Sequence, residues 1–136
     1  MVMGKQAAVK VSAVAQRQWR NRLQSLSSNV AQWAKEKRWP VSSQEKVIEE
    51  QAIGSYPAKV LNIKTPAGWL VIEPIAYSVV GAHGRVDLYS FPTFHRVRLL
   101  WDGKKWAIRT DSGVDFPAQW NRKTFVRLAT ELTEAP

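Results

Sequence analysis

The chain has no cysteine and only two histidines, His83 and His95, among its 136 residues. The first absence excludes disulfides, thiolate metal sites and a cysteine nucleophile, and fits a reducing compartment such as the cytoplasm. The second leaves little from which to build a zinc site or a histidine-centred catalyst, so neither metal nor cofactor is expected. No uninterrupted apolar run approaches the ~20 residues of a transmembrane helix. Phosphate-cradling glycine loops, nucleophile elbows and dinucleotide fingerprints are also missing. Acidic residues are scarce at one end: Glu36 is the first acid in the sequence.

With 45% apolar and 23% charged residues the chain has the composition of a folded protein, and its length suits one domain over residues 1–136. The formal net charge is +9, and residues 1–38 hold eight Lys or Arg against Glu36, so they carry +7 of it. Met1–Gln16 mimics a secretory signal in Lys5, Lys10 and the small-residue run Ala13-Val14-Ala15. The apolar stretch between Lys10 and that run is far too short for a signal core; a basic, serine-containing presequence of mitochondrial type is a closer competitor, and the expected location is the cytoplasm.

From Trp19 the apolar positions run Trp19, Leu23, Leu26, Val30, Trp33 and Ala34, the stripe of an amphipathic helix over Ser12–Arg38. Arg17, Arg20, Gln24, Ser27, Ser28, Lys35 and Arg38 fall on the opposite face, with the cations at its two ends. Ser25, Ser27, Ser28 and Asn29 are weak helix formers where a kink or break is expected. Pro40 is expected to stop the helix, holding Trp39 out of α geometry.

Beyond Pro40 the texture is that of short strands, near Lys46–Ile53, Ala58–Lys64, Gly68–Val80, Arg85–Phe91, Arg96–Trp101 and Lys105–Thr110. Ser42-Ser43-Gln44-Glu45 offers an alternative, a capping box opening a short helix. Turn signals at Thr65–Gly68, Gly81–Gly84 and Asp102–Lys104 imply antiparallel neighbours. Asn121 is placed to cap a last helix carrying Phe125, Leu128, Ala129 and Leu132 on one stripe. The expected fold is α+β: a long N-terminal helix, a five- or six-stranded antiparallel meander, and a C-terminal helix, with both helices on one sheet face. Its segments are residues 1–40, 41–116 and 117–136.

The basic helix face, Arg17, Arg20, Lys35 and Arg38, points to a polyanion such as nucleic acid, with a solvated face as the plain alternative. Arg96 and Arg98 share a face by period two, and Arg109 is expected across from one of them. Asp87 would be the carboxylate that relieves their repulsion, or a phosphate or acidic partner would. Of seven tryptophans most are assigned to the core, Trp101 and Trp106 as a cross-strand pair; Trp39, Trp69 and Trp120 are candidates for exposed contacts. The Trp-bearing helix could equally pack on a protein partner or a second copy, making the chain an interaction or oligomerisation module. A third reading is a small hydrolase or nuclease using a His83–Asp87 dyad.

Asp87 with Asp102-Gly103-Lys104 resembles the acid, then acid-x-Lys, spacing of PD-(D/E)xK nucleases over those three residues only. In that family the second acid and the lysine lie on a strand, whereas here they fall on a hairpin-turn signal. The run from Gly84 through Trp106 also resembles small bacterial proteins of unassigned role, which implies no activity.

Overall fold

The computed structural model describes residues 2–136, with side chains from residue 12 onward. The expectations placed on Met1, Lys5 and Lys10 lie outside the described residues and side chains. Helix α1 (Val2–Glu36) is followed by strands β1 (Val41–Glu50), β2 (Gly54–Thr65), β3 (Gly68–Ala76), β4 (Arg85–Phe91), β5 (Arg96–Trp101) and β6 (Trp106–Thr110), and by helix α2 (Arg122–Glu134). The strands form one six-stranded antiparallel sheet in sequential order, the expected meander. No described helix is long and apolar enough to cross a membrane.

Both helices pack on the same face of the sheet. Trp19, Leu23, Leu26, Val30 and Ala34 of α1, with Phe125, Leu128, Ala129 and Leu132 of α2, form one core with Ile63, Leu70, Ile72, Val86, Leu88, Val97, Leu99 and Ile108. The apolar stripe of α1 is therefore consumed internally: Trp19 is 1% exposed and Val30 and Ala34 are fully buried. Each large side chain of this kind contributes about 1.5–3 kcal/mol by leaving water, which ties α1 firmly to the sheet. Trp19 also donates its indole N–H to the Tyr56 hydroxyl at 3.0 Å, and that hydroxyl donates to Glu50. Glu50 in turn accepts the backbone N–H groups of Tyr77 and Ser78, so one carboxylate fastens the end of the β1–β2 ribbon to the chain leaving β3. Burial, followed by the hydrogen bond to Glu50, raises the Tyr56 pKa far above that of a free phenol.

Helix α1 runs uninterrupted through Ser25–Asn29, because packing of Leu26 and Val30 outweighs the weak propensities around them. Its end is set earlier than at Pro40. Arg38 adopts a left-handed conformation (φ 61°), Trp39 N–H donates to the Ala34 carbonyl and Arg38 N–H to that of Lys35. This is a Schellman stop, completed by burial of Trp39 near Ala34. Trp39 is thus a core residue at 8% exposure and not an exposed contact. Arg38 occupies a position glycine fills without steric cost. Replacing Arg38 with glycine should raise stability by about 1 kcal/mol, a melting temperature higher by a few degrees, readable by thermal unfolding.

The strands depart from expectation mainly at their ends. Ser42–Glu45 is strand and no capping-box helix forms, because these residues pair in register with Asn62, Leu61, Val60 and Lys59 of β2. Pro57 lies inside β2, where β2 pairs with β1 alone; β3 joins only from Leu61, so the missing N–H costs no ladder bond there. The core side of β2 passes from Tyr56 and Ala58 to Leu61 and Ile63, a change of parity with no break in register. A two-stranded ribbon twists more than a full sheet, which lets this one wrap α1. β3 ends at Ala76 rather than Val80, after a register shift at Ile75. Trp101 and Trp106 are paired, their rings 5.3 Å apart and edge-on. Asn121 caps α2 through its side-chain oxygen, 2.9 Å from Thr124 N.

Candidate functional site

Two surfaces gather the residues that the sequence singles out, and they lie on opposite sides of the sheet. The first is the solvent side of α1. Arg17, Arg20, Lys35 and Arg38 are all exposed, and among the described residues none of them forms an ion pair. Arg17 and Lys35 are five helical turns apart, about 27 Å, and Arg20 lies one turn from Arg17 while Arg38 follows just past the end of the helix, so the cations form two groups, one at each end. The N-terminal pair borders a groove of about 440 Å³ between α1 and the β1–β2 ribbon, where Lys59 adds a cation and Glu45 an acid. Arg22, by contrast, lies 3.8 Å over the Trp101 ring and is committed to it.

The second surface is the outer sheet face, which no described helix covers. Its arginines are neutralised. Arg98 and Arg109 stand directly opposite each other, but Arg98 reaches Asp111 at 3.7 Å and Arg109 reaches Asp115 at 3.2 Å. Asp87, 4% exposed, is held by Arg85 through two hydrogen bonds of 2.8 and 2.9 Å and by Arg96 at 3.5 Å, with Arg96 also on Asp111. Asp87 therefore serves Arg85 and Arg96 rather than the Arg98–Arg109 pair, because Asp111 and Asp115 beyond β6 take that place. Asp87 also faces Glu73 across β3 and β4; Glu73 turns to Lys46 at 2.8 Å and accepts the Tyr89 hydroxyl at 2.9 Å.

Burial opposes ionisation of Glu73, yet Lys46 and Tyr89 more than offset it and hold its pKa below the usual value. Tyr89 responds in the opposite sense: burial, then the hydrogen bond to Glu73, pushes its phenol up to about 12. A phenol that ionises near 10 when unfolded and near 12 when folded binds more protons in the native state between those values. Its stabilising contribution is complete below pH 10 and is lost as pH rises toward 12. Phenolate absorbance should show Tyr89 ionising late, and Tyr89→Phe should remove that part of the alkaline loss of stability.

At its other end the outer face is aromatic. Trp69 (40% exposed), Phe91 (49%) and Phe94 (61%) surround an open groove of about 480 Å³ with Tyr89 and Val71. Phe94 is itself left-handed (φ 61°) and stacks on Tyr89 at 5.9 Å between ring centres. The loop is pinned by Ser90, whose carbonyl accepts Phe94 N–H at 2.8 Å and whose hydroxyl accepts His95 N–H at 3.0 Å. Of the tryptophans expected at exposed contacts, Trp69 is on this surface, while Trp120 is half-buried against Trp33 and Phe125. Phe91 and Phe94 escaped the sequence reading because a Phe-Pro-Thr-Phe stretch carries no period from which a face can be read.

The structure does not bring His83 and Asp87 together. His83 lies beside Gly103 at the tip of the β5–β6 hairpin, its N–H bonded to the Trp101 carbonyl, and no hydrogen bond joins it to Asp87. Asp102 accepts the backbone N–H groups of Lys104 and Lys105, both at 2.8 Å, which lowers its pKa and makes it a turn cap. The three nuclease-like residues are thus divided between a strand and a turn. Among the described residues no cluster of His, Asp and Glu could hold a metal ion. No family model, curated protein or solved structure matches this chain.

Proposed function

We infer that the chain is a binding module that engages a polyanion, most simply nucleic acid, along the solvent side of α1. The observation that carries this reading is the contrast between its two arginine-bearing surfaces. Arg96, Arg98 and Arg109 each have a carboxylate, while Arg17, Arg20, Lys35 and Arg38 have none among the described residues. Cations left unpaired on one face attract phosphate; cations already paired must first surrender their partners. The spacing of about 27 Å between Arg17 and Lys35 corresponds to roughly eight steps of a nucleic-acid strand at 3.4 Å each.

The test is fluorescence anisotropy with labelled single- and double-stranded DNA and RNA at two salt concentrations. Four phosphate contacts imply a loss of about 10²-fold in affinity between 50 and 200 mM salt. The variant Arg17→Glu/Arg20→Glu/Lys35→Glu/Arg38→Glu should abolish binding with its fold intact, and strands shorter than about eight nucleotides should bind weakly because they reach one pair only. No binding at low salt would refute this reading. It would favour the second one, a protein-interaction module, for which the exposed Trp69, Phe91 and Phe94 on a charge-balanced face are the supporting observation.

A further inference from the structure

The sheet has two edges, and they are treated differently. Along β6, Phe116 N–H donates to the Ile108 carbonyl, and Thr110 N–H to that of Val114, so the segment after β6 folds back over its edge. β1 is ten residues long, and among the described residues nothing bonds its free side. Lys64 N–H donates to the Pro40 carbonyl at 2.9 Å, which fixes the phase of the ladder. Even-numbered residues of β1 turn their backbone groups toward β2, and Val41, Ser43, Glu45, Val47 and Glu49 present theirs to the open edge. The strand carries no proline and no register shift, two of the devices that keep an edge from pairing; a third, charge, is present in Glu45, Lys46, Glu49 and Glu50, so any pairing must avoid setting like charges opposite.

Two large apolar side chains are exposed on this strand, Val41 at 36% and Val47 at 68%. An antiparallel two-fold pairing must match outward-facing residues with outward-facing residues, so its axis passes through a residue. Centred on Glu45 it opposes Glu45 to itself; on Lys46, Lys46 to itself; on Val47, Glu45 to Glu49. Centred on Ser43 it sets Val41 against Glu45. Centred on Gln44 it sets Val41 on Val47, Ser43 on Glu45 and Ser42 on Lys46, with no like charges opposed and both exposed valines covered.

We propose that two copies of this chain associate through β1, antiparallel about Gln44, into one continuous twelve-stranded sheet. The proposal does not rest on the polyanion reading, and its test contains no nucleic acid. Since the chain has no cysteine, single cysteines report the register directly. At the axis Gln44 meets Gln44 of the second copy as a non-hydrogen-bonded pair with Cα atoms about 4.5 Å apart, within disulfide reach. Ser43 and Glu45 each lie about 8 Å from their own counterparts, out of reach.

The unmodified chain should sediment as a dimer, and Gln44→Cys should oxidise to a reducible covalent dimer while Ser43→Cys and Glu45→Cys do not. Val47→Asp should raise the dimer dissociation constant at least tenfold with an unchanged circular dichroism spectrum. A chain that remains monomeric at about 100 μM would overturn the proposal, since association weaker than this amounts to less than about 5.5 kcal/mol. So would a dimer that is indifferent to Val47→Asp, or one trapped equally well by cysteine at 43, 44 and 45.

Discussion

Replacement of Gly84 by alanine is expected to cost about 4 kcal/mol, a large share of the 5–15 kcal/mol that holds an ordinary domain folded. Two independent causes add. Gly84 has φ +147°, a region essentially reserved for glycine, and forcing another residue into it costs about 1–3 kcal/mol. A Cβ on Gly84 would also stand 2.3 and 2.5 Å from ring carbons of Trp19. That ring cannot swing aside, because it is buried, bonded through its N–H to Tyr56 and packed on Tyr77 and Trp106. Overpacking of this kind costs about 1–3 kcal/mol more. Nor can the backbone retreat: the Gly84 carbonyl accepts Trp101 N–H at 2.9 Å, and His83 on its other side is bonded to Trp101 as well.

Urea unfolding of Gly84→Ala, Trp19→Leu and the double variant separates the causes. Removing the indole should relieve the steric part, so the double variant should be more stable than the sum of the single losses by about 1–3 kcal/mol. A Gly84→Ala protein within 1 kcal/mol of the parent would contradict both causes.

The same pair of residues marks what a sequence can and cannot disclose. Trp19 is legible as a core residue from the steps of three and four that follow it, and the meander is legible from its turn residues, because both are written in short-range periods. That Gly84 lies under Trp19 is a contact between residues 65 apart in sequence, and no local pattern encodes it. The strand expected from Ala58 begins four residues earlier, at Gly54, and runs through Pro57. A proline normally argues against a strand interior, but here the second neighbour that would need its N–H is absent, a fact set by where β3 begins. Ser42–Glu45 reads locally as a helix start and becomes strand because β2 supplies a ladder for it.

At the candidate sites, the residue types were legible and the partners were not. Arg98 and Arg109 face each other as period two implies, yet the acids that relieve them come from Asp111 and Asp115, beyond the strand. Only with those partners assigned does the charge divide into a paired sheet face and an unpaired helix face. The +7 of residues 1–38 is legible in the sequence; that Arg85, Arg96, Arg98 and Arg109 on the outer sheet face are already paired is not.

Asp87 carries the other large expected effect, and it changes how an inactive variant would be interpreted. Asp87→Asn should destabilise the fold by about 3 kcal/mol. Removing one partner of a buried ion pair leaves the others uncompensated, at about 3–5 kcal/mol when all are buried. Here the side chains of Arg85 and Arg96 are 24% and 35% exposed, so water relieves part of that cost and the lower end applies. The neutral amide also leaves two guanidinium groups side by side on the face that already brings Arg98 and Arg109 together. In a domain of this size the melting temperature should fall by roughly 10 °C.

The control is Glu131→Gln, which breaks the Arg127–Glu131 pair, both members more than half exposed, and should change stability by less than about 0.5 kcal/mol. Guanidinium unfolding would weaken the pairs by its own ionic strength, so urea is the appropriate denaturant. If Asp87→Asn were as stable as the parent, Asp87 would not be the keystone of the outer face, and a chemical role for it would have to be considered afresh. If it unfolds as expected, loss of any activity in that variant reports the loss of the sheet's charge pairing rather than the loss of a catalytic base.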